Sequence, residues 1–248
     1  MQMTHPRPVA LVTGAARRVG AAIVRRLHAA GYDIALHHRA SAAEAGALAD
    51  ELNAARPDSV LQLQGELAED AVPPRLVKEC LARFGRLDAL VNNASALYPT
   101  PVGEATPAQF DELFAANARA PFFLAQAAAP ALRAAGGAIV NLADIYGERP
   151  LRHHTLYCMA KAALLMLTRS LARELGPDVR VNAVAPGAVL WPDAGKAEKE
   201  KAAMLAATAL GRAGDPADVA EAVRWLLQDA RYTTGEVIRV DGGRSLNL

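Results

Sequence analysis

The amino-acid sequence predicts an α/β fold, a doubly wound parallel sheet with helices on both faces. Short apolar runs alternate along the chain with longer segments rich in Ala, Leu, Arg and Glu, and several of the runs are apolar at consecutive positions. Consecutive apolar residues are typical of strands that helices cover on both faces. A repeated strand–helix order implies parallel strands joined by right-handed crossovers. No Pro- or Ser-rich linker divides the chain, so residues 1–248 are predicted to form a single domain.

The apolar runs predict strands at Val9–Val12, Ile34–Leu36, Val60–Leu63, Leu87–Val91, Ala138–Leu142, Val179–Val184 and Val237–Val240. The segments between them consist of good helix formers and predict helices at Val19–Ala30, Ala42–Ala55, Pro74–Phe84, Pro107–Ala135, Leu156–Leu175 and Pro216–Leu227. Gly31, Gly85 and Gly176 follow three of these helices, where glycine commonly ends a helix. Tyr98–Thr106 and Gly195–Lys201 are interpreted as loop insertions near a site, although Lys196–Lys201 also suits a solvated helix face.

Charge and composition restrict the kind of partner. The 27 Lys and Arg residues nearly balance the 26 Asp and Glu residues, so no nucleic-acid partner is expected and the substrate is predicted to be a small molecule. Two cysteines, far apart in sequence, form neither a disulfide framework nor a metal-ligand cluster, which favours a reducing, cytoplasmic location. No stretch approaches the ~18 apolar residues of a membrane-spanning helix.

A glycine loop joins the first strand to the first helix. It has the sequence TGAARRVG, Thr13 to Gly20. Gly14 would permit the tight turn, Gly20 would let the helix pack closely on the strand, and the helix N-terminus would present N–H groups to a pyrophosphate. A short glycine pattern also occurs in ordinary strand–helix turns, but its place between an apolar strand and a helix favours a dinucleotide site. The sequence therefore predicts a Rossmann-type domain.

The end of the second strand indicates which dinucleotide is bound. An acidic residue there favours NAD, and a basic residue accommodates the additional phosphate of NADP. This chain has His37, His38 and Arg39 followed by Ser41, and the glycine loop adds Arg17. Because a guanidinium can grip a phosphate with two parallel hydrogen bonds, the predicted cofactor is NADPH.

These motifs, together with VNNAS (Val91–Ser95), the Tyr157–Lys161 pair, Pro186–Gly187 and VDGG (Val240–Gly243), resemble those of the short-chain dehydrogenase/reductases across nearly the whole chain. Within that family the sequence looks most like the pteridine reductases, as TGAARRVG, HHRASAAEA, NNASALYPTP and VDGGRSLN indicate. The resemblance implies NADPH-dependent reduction of a dihydropterin or a folate by a homotetramer.

The resemblance also implies roles for individual residues. Asn93 and Ala94 should line the cofactor cleft, and Ser95 should lie near the pyrophosphate and the substrate. Glu66 and Leu67 should hold the adenine, and Pro186 and Gly187 should border the nicotinamide. Asn117 matches the family's helix-bending asparagine, which supports a proton-relay water. Arg18 stands where most of the family has glycine, and it should face both the cofactor phosphate and the pterin.

Tyr157 and Lys161 are four residues apart, so a helix places them on one face. A tyrosine of ordinary pKa, about 10, is a poor acid–base catalyst at neutral pH, and a nearby lysine cation should lower that pKa. By itself the same spacing also describes a buried tyrosine beside a solvated lysine.

Asp144 precedes Tyr157 by thirteen residues, where the wider family usually has serine. A carboxylate suits ketone reduction badly, because it repels the negative charge that develops on the oxygen. It suits reduction of a ring C=N bond, where the nitrogen gains a proton and N–H donors can meet the carboxylate. Alternatively, Asp144 only caps the turn after its strand.

Residues around the substrate depart from the pteridine-reductase pattern. Leu97 stands where those enzymes have a phenylalanine that stacks on the pterin, and Tyr98 follows it. Leucine can cover a ring but offers no π-stacking. Trp191, in the predicted substrate loop at about 188–212, would supply an aromatic wall or pack in the protein. His153 and His154 have no further ligands at metal spacing, so no metal is predicted.

The sequence thus predicts an NADPH-dependent pteridine reductase in which Asp144, Tyr157, Lys161 and Asn117 are catalytic. A carbonyl reductase of the same family is the alternative enzyme. A non-catalytic NADP-binding sensor is the alternative outside the enzymes, although such a module needs no proton donor.

Overall fold

Seven strands pair in parallel into one sheet, in the order β3-β2-β1-β4-β5-β6-β7. The structure, a computed structural model, describes residues 7–189 and 198–247. The strands are β1 Val9–Val12, β2 Asp33–His38, β3 Val60–Gln64, β4 Ala89–Asn92, β5 Ala138–Leu142, β6 Arg180–Pro186 and β7 Val237–Val240. The strand order reverses between β1 and β4, and in open α/β sheets the ligand crevice lies at the carboxyl ends of the strands beside such a reversal.

Helices cover the sheet on both faces. They are α1 Arg18–Ala29, α2 Ala42–Ala55, α3 Val72–Phe84, α4 Pro107–Phe114, α5 Ala120–Ala135, α6 Thr155–Leu175, α7 Glu198–Ala206 and α8 Pro216–Gln228. One core lies between the sheet and α1, α2 and α8, and a second core lies between the sheet and α3, α5 and α6. Along β1, Ala10 and Val12 belong to the first core, and Val9 and Leu11 belong to the second. This two-sided burial explains the consecutive apolar residues and confirms the predicted fold class.

Some predicted elements need correction. The single helix predicted at Pro107–Ala135 is interrupted by a π-helical turn, Ala115–Arg119, between α4 and α5. The side-chain Nδ2 of Asn117 donates to the carbonyl of Leu113, 2.9 Å away, and an inserted side chain of this kind displaces the regular backbone ladder. Gly85 ends α3 in the left-handed region with φ 74°, and Gly176 directly follows the last residue of α6, as predicted, with φ −68°.

The region predicted as a substrate loop contains a regular element, since α7 occupies Glu198–Ala206. The end of the Lys196–Lys201 segment is therefore helical from Glu198 onward, and residues 196 and 197 lie outside the described residues. Within the residues described, no helix is long and apolar enough to cross a membrane. In the same part of the chain, no group of three or more His, Cys, Asp and Glu side chains could hold a metal ion.

Candidate active site

The loops that follow β1 to β4 enclose a cleft of about 610 Å³ at the carboxyl edge of the sheet. Thirteen of the predicted ligand-contacting residues line it: Gly14, Arg17, Arg18, Gly20, His38, Arg39, Ser41, Glu66, Leu67, Asn93, Ala94, Ser95 and Leu97. Residues that are far apart in sequence thus meet at the strand reversal, as a dinucleotide site in this fold requires.

Close packing fixes the glycine loop. A Cβ on Gly14 would lie 2.9 Å from the Cα of Ala94, and a Cβ on Gly20 would lie 2.3 Å from the carbonyl oxygen of Gly14. The hydroxyl of Thr13 accepts hydrogen bonds from the backbone N–H groups of Asn93 and Ala94, at 3.0 and 3.1 Å. These contacts therefore fix the position of the loop after β1 relative to the loop after β4.

Arg18 takes a backbone conformation that favours glycine, with φ 55°. A non-glycine residue in this region costs on the order of 1–2 kcal/mol. Arg18 stands at the position where most of the family has glycine, and it lines the cleft. The chain thus retains an arginine at a backbone cost.

The sequence did not predict the role of His37, whose ring connects two loops of the cleft through hydrogen bonds. Its Nδ1 accepts from the backbone N–H of Gly14 at 3.3 Å, and its Nε2 donates to the carbonyl of Gly65 at 3.1 Å. Burial lowers the pKa of His37 to about 4, so the ring is neutral and this pair of bonds assigns the Nε2–H tautomer. These contacts depend on β2 lying between β1 and β3, so no local sequence pattern indicates them.

The far end of the cleft carries three basic side chains. His38 is buried, and its Nδ1 has no hydrogen-bond partner. Arg39 meets Glu66 only loosely, with Nη1 3.4 Å from Oε2, and Arg17 meets Glu44 at 3.5 Å. Exposed ion pairs of this kind contribute little, so both guanidiniums can turn to a stronger anion at low cost.

Asp144, Tyr157 and Lys161 come together at the ends of β5 and α6. Asp144 follows β5 and caps a short 3₁₀ turn, Ile145–Gly147, where its Oδ1 accepts from the N–H of Tyr146 at 2.9 Å. Its Oδ2 accepts a hydrogen bond from the hydroxyl of Tyr157 at 2.7 Å. Asp144 therefore caps the turn and also contacts the candidate proton donor.

Lys161 lies one turn after Tyr157 on the same buried face of α6. Its Nζ donates to the carbonyl of Leu142 at 2.8 Å and lies 5.7 Å from the centroid of the Tyr157 ring. Burial lowers the pKa of Lys161 to about 8, against the attraction of Asp144.

The pKa of Tyr157 differs from the sequence prediction. Burial first, and then the charge and hydrogen bond of Asp144, raise it well above the usual value, and a hydrogen bond with Ser95 opposes them. The predicted lowering by Lys161 is wrong for this arrangement. Burial also raises the pKa of Asp144. Tyr157 is therefore a phenol at neutral pH, with a proton to donate.

Asn117 lies within the π-helical turn and connects to the cleft through Ser95. The hydroxyl of Ser95 donates to Oδ1 of Asn117 at 2.6 Å. Nδ2 of Asn117 donates to the carbonyls of Ala96 and Leu113, each at 2.9 Å. Asn117 thus shares a hydrogen bond with a residue that lines the cleft.

The substrate side of the cleft contains Leu97 and Tyr98. Leu97 is 53% exposed and lines the cleft. The hydroxyl of Tyr98 donates to Glu112 at 2.8 Å, and both residues also line the cleft. Trp191 lies outside the described residues, so its predicted contact stays a prediction.

Pro186 and Gly187 lie at the end of β6, next to the turn that follows β7. The N–H of Gly187 donates to the carbonyl of Val240 at 3.0 Å, and a Cβ on Gly187 would lie 2.8 Å from the Cα of Asp241. This packing explains why position 187 is a glycine. His153 is exposed in the loop before α6.

Comparison with known proteins agrees with this geometry. A family model described as enoyl-(acyl carrier protein) reductase matches residues 14–245. The chain belongs to the short-chain dehydrogenase/reductase family. As a member of this family it is an oxidoreductase that acts on a small molecule with a nicotinamide cofactor.

Its relatives carry names from two kinds of reductase. Pteridine reductase 1 of Leishmania tarentolae is 39% identical, over 99% of this chain and 99% of the relative. A putative ketoacyl reductase of granaticin polyketide synthesis from Streptomyces violaceoruber is 38% identical over 96% of each chain. A 3-oxoacyl-[acyl-carrier-protein] reductase of Staphylococcus aureus is 36% identical, over 98% of this chain and 99% of the relative. The family assignment and the likeness of this chain to pteridine reductases are thus confirmed. Because the relatives' names include two kinds of reductase, the substrate is inferred from the geometry of the site.

Proposed function

We propose that this short-chain reductase uses NADPH to reduce a ring C=N bond of a pterin or folate, a dihydropterin to a tetrahydropterin. The contact that carries the proposal is the hydrogen bond from the Tyr157 hydroxyl to Asp144 Oδ2, at 2.7 Å. It places a carboxyl group beside the candidate proton donor, at a position where a ketone reductase needs a neutral donor.

Each residue of the site has a separate role in the proposed reaction. NADPH, when bound, supplies the hydride to the ring carbon. Tyr157 holds the proton that the ring nitrogen gains, and Asp144 orients N–H groups of the substrate. Lys161 fixes the buried face of α6 against β5 through Leu142. Because both Asp144 and Tyr157 have raised pKa values, the pair retains at least one transferable proton at neutral pH.

The choice of NADPH over NADH rests on the end of β2 and the glycine loop. Arg39, Arg17 and the unpartnered Nδ1 of the buried His38 are the groups that would hold the 2′-phosphate, with Ser41 at the start of α2 beside them. Glu66 is the carboxylate nearest to Arg39 in the cleft, and it would give up that ion pair to the phosphate.

A carbonyl reductase is the second candidate, and the printed names of the Streptomyces and Staphylococcus relatives favour it. A ketone substrate would need a donor for the developing alkoxide. The hydroxyl of Ser95 lines the cleft and offers such a donor.

An NADPH-oxidation assay distinguishes the two. The panel contains dihydrobiopterin, dihydromonapterin, dihydrofolate and two simple ketones, with NADH in place of NADPH as the cofactor control. We expect at least one pterin or folate to be reduced with a kcat/KM far above that of any ketone. A ketone that exceeds every pterin would overturn the proposal and leave the carbonyl reductase.

We also infer that the protein assembles as a homotetramer. Helices α5 and α6 present exposed apolar side chains that a water-facing helix does not need, among them Phe122, Phe123, Met159 and Met166. Contiguous exposed apolar surface is typical of protein–protein interfaces. Sedimentation equilibrium should give four times the chain mass of 26.1 kDa, and a monomer would contradict the inference.

The cytoplasm is the proposed location of the enzyme. Cys80 and Cys158 are free, which fits a reducing compartment. Fractionation of cells that produce the protein should recover it with soluble cytoplasmic markers.

A further inference from the structure

The hydroxyl of Ser95 contacts two members of the candidate site. Ser95 ends the segment VNNAS just after β4, and its Oγ donates to Oδ1 of Asn117 at 2.6 Å. The same side chain lies near enough to the phenol of Tyr157 to lower the pKa of that group. The phenol donates to Asp144, and Ser95 is a second polar side chain beside it.

The direction of the bond between Ser95 and Asn117 follows from Asn117. Both hydrogens of its Nδ2 are used, by the carbonyls of Ala96 and Leu113 at 2.9 Å each. The amide is therefore fixed with Oδ1 toward Ser95, and an amide oxygen only accepts. While Tyr157 holds its proton, the Ser95 hydroxyl must donate to Asn117.

Loss of the tyrosine proton changes what the phenol oxygen needs. A phenolate needs hydrogen-bond donors, and an ionised Asp144 offers none. Nζ of Lys161 donates one hydrogen bond to the carbonyl of Leu142, 2.8 Å away, and lies 5.7 Å from the centroid of the Tyr157 ring. The hydroxyl of Ser95 needs only a rotation about its Cβ–Oγ bond to point its proton at the phenolate.

We propose that Ser95 is a catalytic residue whose hydroxyl turns from Asn117 Oδ1 to Tyr157 Oη as the phenol gives up its proton, and so stabilises the phenolate. Ser95 keeps its own proton throughout: the hydrogen bond to Asn117 breaks, the bond to Tyr157 forms, and the tyrosine proton goes to the substrate. The inference rests on Tyr157 as the proton donor of the proposed reaction, whichever acceptor receives the proton.

The exchange replaces a neutral hydrogen bond with a charge-assisted one, which is about twice as strong. Removal of the hydroxyl should therefore lower kcat about tenfold, as expected for one such bond present only after proton transfer. Ser95→Thr keeps the hydroxyl, and the exposed position of Ser95 leaves room for the added methyl.

The experiment compares wild type, Ser95→Ala and Ser95→Thr, with Ser41→Ala as the matched control at the phosphate end of the cleft. For each protein, kcat, the KM for NADPH and the solvent deuterium isotope effect on kcat are measured with the best acceptor of the wild type. We expect Ser95→Ala to lower kcat about tenfold and to raise the isotope effect, because proton transfer from a weaker acid becomes slower. Ser95→Thr should restore both, and Ser41→Ala should raise the KM for NADPH with no change in the isotope effect.

A Ser95→Ala enzyme that changes only the KM for NADPH would overturn the proposal and leave Ser95 as a cofactor contact. An equal loss of kcat in Ser95→Thr and Ser95→Ala would overturn it as well, because the hydroxyl would then not matter. If the wild type reduces ketones and not pterins, the proposed substrate fails, but the isotope effect of Ser95→Ala still decides the role of Ser95.

Discussion

The hydroxyl of Tyr157 donates to Oδ2 of Asp144 across 2.7 Å, while the other oxygen of the same carboxyl group, Oδ1, caps the turn at Tyr146. One side chain thus fixes the local backbone and sets the electrostatics of the proton donor. Burial raises the pKa of both groups, and this effect outweighs the opposing charge of Lys161 on Asp144 and the opposing contact of Ser95 with Tyr157. The pair therefore retains a proton at neutral pH.

Asp144→Ser should separate pterin reduction from ketone reduction. The variant regains the serine of the wider family but loses the acceptor for substrate N–H groups, so pterin turnover should fall by about 10²-fold, the scale of a lost acid–base group. Ketone turnover should hold or rise, because a hydroxyl can donate to an alkoxide. Steady-state rates on one pterin and one ketone measure both effects.

Asp144→Asn is the control for the structural part of that result. Its amide oxygen can still accept from the N–H of Tyr146, so the turn should persist and the midpoint of thermal unfolding should stay near that of the wild type. If Asp144→Asn and Asp144→Ser both kept full pterin activity, Asp144 would be only a cap.

Lys161→Met should stabilise the protein at neutral pH and abolish turnover. The folded pKa of Lys161 is about 8, below the value of 10.5 for a free lysine, so between these values the unfolded chain binds more protons than the folded one. Stability of the wild type therefore rises with pH across that window, and below pH 8 the full penalty applies, on the order of 3 kcal/mol. The lost bond to Leu142 offsets part of the gain.

Urea denaturation of both proteins from pH 7 to pH 10 tests this sign. The stability of the wild type relative to Lys161→Met should increase with pH, because the variant lacks the buried cation. If the free energy of unfolding of the wild type relative to Lys161→Met stayed constant or fell over this range, Lys161 would not be a buried cation that destabilises the folded state.

Much of the fold follows from local patterns, and the contacts of the site do not. The consecutive apolar residues of Val9–Val12 predict a strand covered on both faces, and in the structure their side chains pack alternately into the two cores. The π-helical turn at Asn117 has no such pattern, since Pro107–Ala135 has helical composition throughout. Only the resemblance of Asn117 to the family's helix-bending asparagine indicated a break there, which the bond to Leu113 shows. The sheet order that brings His37 to Gly14 and Gly65 also depends on the whole chain.

The sequence spacing predicted the position of Tyr157 in the site but not its pKa. The four-residue spacing correctly placed Tyr157 and Lys161 on one buried face of α6. The predicted lowering of the Tyr157 pKa was wrong, because burial raises that pKa and the residue spacing does not describe burial. The contact between Asp144 and Tyr157 spans separate elements, so only the resemblance to a family suggested it.

Arg39→Ala should weaken NADPH much more than NADH. Loss of one charge-assisted contact to the 2′-phosphate should cost about 1.5–3 kcal/mol, and NADH has no phosphate there to lose. Arg25→Ala is the matched control, because Arg25 also forms an exposed pair, with Glu51 at 2.7 Å, but does not line the cleft. Dissociation constants from cofactor fluorescence measure the effect, and equal weakening of NADPH and NADH by Arg39→Ala would contradict it.

Leu97→Phe should lower the KM for a pterin. Leu97 lines the cleft and is 53% exposed, so a larger ring fits there without displacing buried neighbours. An aromatic pair adds about 0.5–1.5 kcal/mol beyond the area that it buries, which corresponds to a decrease in KM of roughly two- to tenfold. Val102→Phe is the control, since Val102 is 89% exposed in the same connection but does not line the cleft, and its KM should match the wild type. A folded Leu97→Phe enzyme with an unchanged KM would place the ring elsewhere, against Tyr98 or Trp191.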